Sequence, residues 1–188
     1  MARPKEFDTD AALDAATRVF REQGFAGSSA ADLTRAMGIG RQSLYDTFGD
    51  KAQLYRAALA RYTALETEAH LAALSTGPRA IDGLEILLAR VRAKAGEPCL
   101  AVGAVCEFGR TRPELTEIQA AGERALAAAL AARLREAQDE GDVAAGLDVG
   151  EAAAFLAAAI PGIRIAARGG AGAAQLQALA ELALRALR

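Results

Sequence analysis

The chain has 188 residues, carries a net charge of -2 and is 52% hydrophobic, with alanine and leucine dominating over β-branched and aromatic residues. That length suffices for one well-cored domain or two small ones, and the composition favours an all-α fold. The near-neutral charge excludes binding of nucleic acid through bulk charge, since residues 1–62 hold nine Lys/Arg against eight Asp/Glu, so any such contact has to rest on placed residues. No apolar run approaches the roughly 20 residues that span a bilayer. Met-Ala-Arg-Pro-Lys-Glu-Phe lacks the apolar stretch of a secretory signal. Cys99 and Cys106 are too few for a disulfide scaffold, which suits a reduced, cytoplasmic protein.

The first helix is predicted from Asp8 or Thr9 to a glycine stop at Gly24, with Leu13, Ala16, Val19 and Phe20 as its apolar stripe. Ser29 caps the second, with Asp32 three residues on as in a capping box, and Gly38 ends it. A third short helix runs from Gly40 or Arg41 to Phe48, with Leu44 and Phe48 facing inward. Asp50 caps a fourth, from Lys51 to Leu74, which would be about 36 Å long. Residues 75–78 form a linker. Helix five covers Ala80 to Lys94, and the apolar stretch from Cys99 to Phe108 is expected to be a helix buried on most sides. Pro113 opens a long alanine-rich helix ending near Glu140. Asp148 and Glu151 open another toward Ala167, which Pro161-Gly162 should kink or split. A last helix runs from Ala173 to Leu187. The count is nine, or ten if Pro161 divides one.

Two short helices joined by Gly38-Ile39 have the helix-turn-helix pattern, whose second member enters the major groove by its N-terminal half. Here that half carries Arg41, Gln42 and Ser43. Arginine matches guanine O6/N7 and glutamine adenine N6/N7. Gly40 permits close backbone approach, Tyr45 and Thr47 can give hydroxyls to phosphates, and Lys51 adds charge to a helix N-terminus. Ser29 stands at another helix N-terminus, and Arg3 and Lys5 lie in an arm that could reach the DNA. Asp46 is unfavourable beside phosphates unless it pairs with Arg41 or accepts from cytosine N4.

Residues 8–55 closely resemble the DNA-binding domain of the TetR family of bacterial transcriptional regulators. The resemblance rests on Ala15-Ala16, Val19-Phe20, Gly24-Phe25, Ser28-Ser29, Asp32-Leu33, Met37-Gly38-Ile39, Leu44-Tyr45, Phe48, Lys51 and Leu54. It implies a three-helix head at 1–50, a linking helix at 51–74 and an effector-binding, dimerising body at 75–188. It also implies phosphate clamps at Tyr45 and Lys51 and base contacts from Gly40 to Ser43. Gly40, Gln42, Thr47 and Ala30 depart from the usual family residues, which leaves the operator sequence open.

Two half-sites need two heads, so a homodimer on palindromic DNA is expected. Phe155, Ala158, Gly162 and Ile165, with Leu176, Leu179 and Ala183, are the candidate interface. Tyr62, Leu88, Val102, Cys106, Phe108, Ile118 and Phe155 are candidate liners of a small-molecule effector pocket. The expected function is therefore a repressor released by an effector. The alternatives are a thiol sensor using Cys99 or Cys106 and a helical interaction module without DNA. A single histidine, no phosphate-cradling glycine loop and no metal-ligand cluster argue against an enzyme, a cofactor or a bound metal.

Overall fold

The protein is represented by a computed structural model that describes residues 7–188; Arg3 and Lys5 lie outside the described residues. Among these the chain forms α1 (Thr9–Gly27), α2 (Ala30–Met37), α3 (Arg41–Phe48), α4 (Lys51–Leu74), α5 (Ala80–Ala93), α6 (Leu100–Phe108), α7 (Pro113–Asp139), α8 (Val149–Arg168) and α9 (Ala173–Arg185). The helix starts follow from their caps. Asp8 accepts from the amides of Asp10 and Ala11, Ser29 and Asp32 form a reciprocal capping box, and Asp148 accepts from Glu151.

The chain divides into two compact units. The first combines the segment ending at Thr63 with Cys99–Gln119, so it contains α1 to α3, the first half of α4, α6 and the start of α7. Its core includes Ala16, Phe20, Leu33, Met37, Leu44, Leu54, Tyr55, Leu59, Leu100, Ala104 and Leu115. The second combines Ala64–Pro98 with Ala120–Arg188. Its buried cluster, built around Leu84, Leu87, Leu88, Val91, Leu130, Leu134, Leu156, Ile160 and Ile163, holds no aromatic residue. This division differs from the simple order 1–50, 51–74 and 75–188, because α6 joins the head helices.

Gly24 interrupts α1 with a positive φ of 71° (ψ -178°), as expected of a glycine stop, and a short helical stretch follows to Gly27. Two expectations need correction. The segment from Cys99 to Phe108 is not buried on most sides. Leu100 and Ala104 face the core, while Val105 and Cys106 are exposed, because α6 is a short helix of about two and a half turns that lays one face on the first unit's core. Pro161 does not split α8, which runs as one helix from Val149 to Arg168. The backbone bond lost at the proline is offset by burial of Leu156, Ile160 and Ile163 on the inward face.

α8 also modifies the reading of hydropathy. It is 20 residues long with a window of mean hydropathy 1.5, enough to cross a membrane by length and composition. Its inner face packs in the second unit's core, and buried Arg164 lies in an ion cluster. A core helix of a helical domain has the same profile.

A candidate DNA-reading head

The turn between α2 and α3 is built by Gly38 in the left-handed region (φ 66°), where its amide donates back to Arg35, and Ile39 donates to Thr34 at 3.3 Å. Leu33, Met37 and Leu44 are buried beneath it and fix the two helices against the core. This leaves Arg41, Gln42, Tyr45 and Asp46 exposed, with Ser43 and Thr47 half-buried.

Gly40 is the N-cap of α3 and supplies no side-chain cap. Its φ of -71° suits any residue, and a Cβ placed there would meet no atom within 4 Å. The fold of the free chain therefore does not require glycine at this position. What glycine does is leave the first amides of α3 bare, open to a close-approaching acceptor.

Asp46 does not pair with Arg41. It accepts from Gln42 Nε2 at 2.8 Å across one helical turn, while the Arg41 guanidinium lies 6.0 Å from the Tyr45 ring centre. Ser29 uses its hydroxyl within the capping box, donating to Asp32 at 2.5 Å and accepting from the Asp32 amide at 3.1 Å. The Ser29 hydroxyl, with the Ser29 backbone amide that donates to the same carboxylate oxygen at 3.2 Å, holds the Asp32 carboxyl below the usual carboxylate range.

Lys51 is folded inward. Its Nζ donates to the Ser28 carbonyl and sits 4.6 Å from the centre of the Phe25 ring. The N-terminus of α4 is served instead by Asp50, whose carboxylate accepts from the Gln53 amide at 2.8 Å. Lys51 thus ties the α1–α2 elbow to the first turn of α4.

A residue with no assigned role in the sequence reading completes this tie. Glu107 of α6 accepts from the amides of Phe25 at 2.8 Å and Ala26 at 2.5 Å. The break at Gly24 frees these two donors, and the carboxylate satisfies both. Glycine is required at position 24 by its positive φ, and a Cβ there would also press on Glu107 at 3.1 Å. Around the elbow, Phe25, Tyr55 and Phe108 stack edge-to-face at 5.3 to 5.5 Å, with Phe20 on the other side of Tyr55 at 4.9 Å. The Tyr55 hydroxyl is buried without a hydrogen-bond partner; that burial, with the charge of Glu107, pushes its pKa far above the usual phenol value. Arg61 of α4 grips Asp14 of α1 at 2.6 and 3.2 Å, and that hydrogen bonding holds Asp14 below its ordinary pKa.

The effector candidates do not share one core. Tyr62, Phe108 and Ile118 pack in the first unit, Leu88 lies in the second, Val102 is half-buried, and Cys106 and Phe155 are at the surface. The dimer candidates divide by helix. Phe155, Ala158, Gly162 and Ile165 form an exposed stripe on α8. Leu176 and Ala183 are buried and Leu179 is half-buried against the second unit's own core; the exposed side of α9 carries Ala178 and Leu182 instead.

Comparison with known proteins agrees with this geometry. The family model described as bacterial regulatory proteins, tetR family, matches residues 12–58. The HTH-type transcriptional repressor ComR of Escherichia coli is 32% identical over 193 residues, covering 97% of this chain and 90% of that protein. The HTH-type transcriptional regulator YezE of Bacillus subtilis is 35% identical over 151 residues, 76% of each chain. The TetR family regulator CifR, solved as a cysteine mutant on a 26 bp double-strand operator, superposes with a TM-score of 0.84 at 33% identity, covering 100% of both chains. With its helix-turn-helix, its exposed α3 and a relative matched along nearly its whole length, the chain belongs to the TetR family of DNA-binding bacterial transcriptional regulators.

Proposed function

We propose that the chain is a cytoplasmic, homodimeric repressor that reads a palindromic operator through α3 and leaves it when a small molecule binds the helical body. The observation that carries this reading is the N-terminal half of α3, exposed and uncapped, with Arg41 and Gln42 free of any packing role. Arg41 is assigned to guanine and Gln42 to adenine, with Asp46 holding the Gln42 amide in place until it meets a base. Ser43 borders the same groove. Tyr45, Thr47 and the remaining N–H bonds of Lys51 are assigned to phosphates, with Ser29 and the arm residues Arg3 and Lys5 adding to them. That ComR is a transcriptional repressor and that CifR was solved on operator DNA supports the reading of the chain as an operator-binding repressor.

The dimer is assigned to the exposed α8 stripe together with Ala178 and Leu182 of α9. Phe155, Ile165 and Leu182 are each about half exposed, a concentration of large apolar side chains that a second copy would cover. Binding of the purified dimer to a duplex from the promoter beside its own gene tests the whole reading. Arg41→Ala should lose ~1–3 kcal/mol at particular base pairs; a uniform loss at every sequence would refute base reading.

A second reading has one specific observation behind it. Cys106 is exposed and immediately precedes Glu107, the residue that holds the elbow of the head. An electrophile or oxidant attacking this thiol would then disturb DNA binding through the adjacent carboxylate. A direct disulfide to Cys99 is excluded within the intact helix, since seven residues span about 10.5 Å. Release of wild-type protein from DNA by oxidant, with Cys106→Ser insensitive, supports this reading; indifference of the wild type ends it.

A further inference from the structure

The second unit contains a cluster of charge that the fold alone does not balance. Glu66 of α4 accepts from Arg90 Nη2 of α5 at 3.0 Å and from Arg164 Nη2 of α8 at 2.8 Å, and Lys94 Nζ lies 3.9 Å away. Arg90 also meets His70 Nδ1 at 3.0 Å. Burial, with the charge of Arg90 next in effect, pushes the His70 pKa down to about 4, so the ring is neutral and accepts from the guanidinium at neutral pH. Three cations therefore converge on one carboxylate.

The three cations also form a graded path inward. The Lys94 side chain is 44% exposed, Arg90 17% and Arg164 4%. Arg164 is the informative residue. It is almost fully buried, yet among the described residues Glu66 Oε2 is the one acceptor found for its five N–H bonds. Its other guanidinium nitrogens bond to no protein acceptor, yet they are not sealed from solvent, so they are open to a carboxylate that takes the place of water. The buried cluster of this unit, which includes Leu87 and Val91 of α5 and Ile160 and Ile163 of α8, is aliphatic throughout.

We infer that Arg164, Arg90 and Lys94 form the receptor for the carboxylate of a small aliphatic acid, with Glu66 serving as internal counter-ion in its absence. The acid enters at Lys94, and its carboxylate takes the free N–H bonds of Arg164, sharing or displacing Glu66. The inference rests on the reading of the helical body as an effector receptor and gives that effector a chemical class.

The test uses the full chain without DNA, with octanoate as probe and 1-octanol as its uncharged, chain-matched control, followed by calorimetry and thermal shift. Octanoate should bind and raise Tm, and 1-octanol should bind about tenfold more weakly or worse, since the charge-assisted bonds are missing. Arg164→Gln should abolish the difference between the two probes. Because that variant removes a buried charge and can fail to fold, Lys94→Ala at the exposed rim and Glu66→Gln are measured beside it. Lys94→Ala should weaken octanoate several-fold. Glu66→Gln should tighten it by about tenfold, because the internal competitor is gone; a purely structural ion cluster gives no such gain. Equal binding of octanoate and octanol, absence of octanoate binding, or no gain in Glu66→Gln overturns the inference. Release from operator DNA is assayed separately. Carboxylate binding without release would leave the receptor standing and remove the effector reading.

Discussion

Glu107→Ala isolates the contribution of α6 to the DNA-reading head. The substitution removes two hydrogen bonds to the amides of Phe25 and Ala26, at 2.8 and 2.5 Å, and leaves both donors without a protein acceptor. Charge-assisted bonds contribute about 1.5–3 kcal/mol each when desolvated. These lie at an exposed site where water replaces the acceptor, so a combined loss of about 1–2 kcal/mol is the appropriate scale. If only the held elbow places Ser28, Lys51 and the start of α2 correctly, apparent affinity falls by the drop in the competent fraction, about five- to thirty-fold. The assay is fluorescence anisotropy of a labelled operator duplex, with Tm measured in parallel. Glu107→Gln keeps one acceptor oxygen and should recover part of the loss, which a general destabilisation does not explain. Unchanged DNA affinity in Glu107→Ala, with the protein folded, would refute the role of this carboxylate.

Three further outcomes follow from the structure. Lys51→Ala should weaken binding at all sequences and lower the salt slope by about one; a weaker complex with an unchanged slope would make Lys51 only the internal tie to Ser28. Gly83→Ala should destabilise the protein by about 1–3 kcal/mol or more, because its Cβ would sit 2.1 Å from the Leu74 carbonyl oxygen; a denaturant midpoint equal to wild type would contradict that packing. His70 has a folded pKa of about 4 against 6.5 unfolded. Its contribution is therefore complete above pH 6.5 and falls as pH drops toward 4, by an upper value of about 3 kcal/mol. His70→Asn should flatten the pH dependence of stability over that window, and an unchanged slope would show that the ring is not held neutral.

The helices were legible because their ends are written locally. Asp8, the Ser29–Asp32 box, Gly38, Asp50 and Asp148 act on amides within a turn of themselves, so their spacing carries the information. The exposed α3 residues were legible for the same reason, once Leu44 fixed the inner face. The tie from Glu107 to Phe25 and Ala26 was not, since its acceptor and donors are 81 and 82 residues apart and the donors are backbone groups that every residue has. The face of α9 was misread because alanine and leucine occupy both sides of that helix. Leu176 and Ala183 turned inward and Leu182 outward, a choice made by packing against α5 and α8 rather than by pattern. The burial of α6 was overestimated because an apolar stretch does not state how many neighbours it will find.

The contact between Glu107 and the α1–α2 elbow has a consequence for how the protein can be cut and how it is made. A fragment ending at residue 50 or 74 would carry the whole helix-turn-helix but lack the acceptor for Phe25 and Ala26, and with it Leu100, Ala104 and Phe108 from the head's own core. Such a fragment is not a transplantable module. During synthesis the same dependence delays the finished head until α6 has left the ribosome, well after the reading helix itself has emerged.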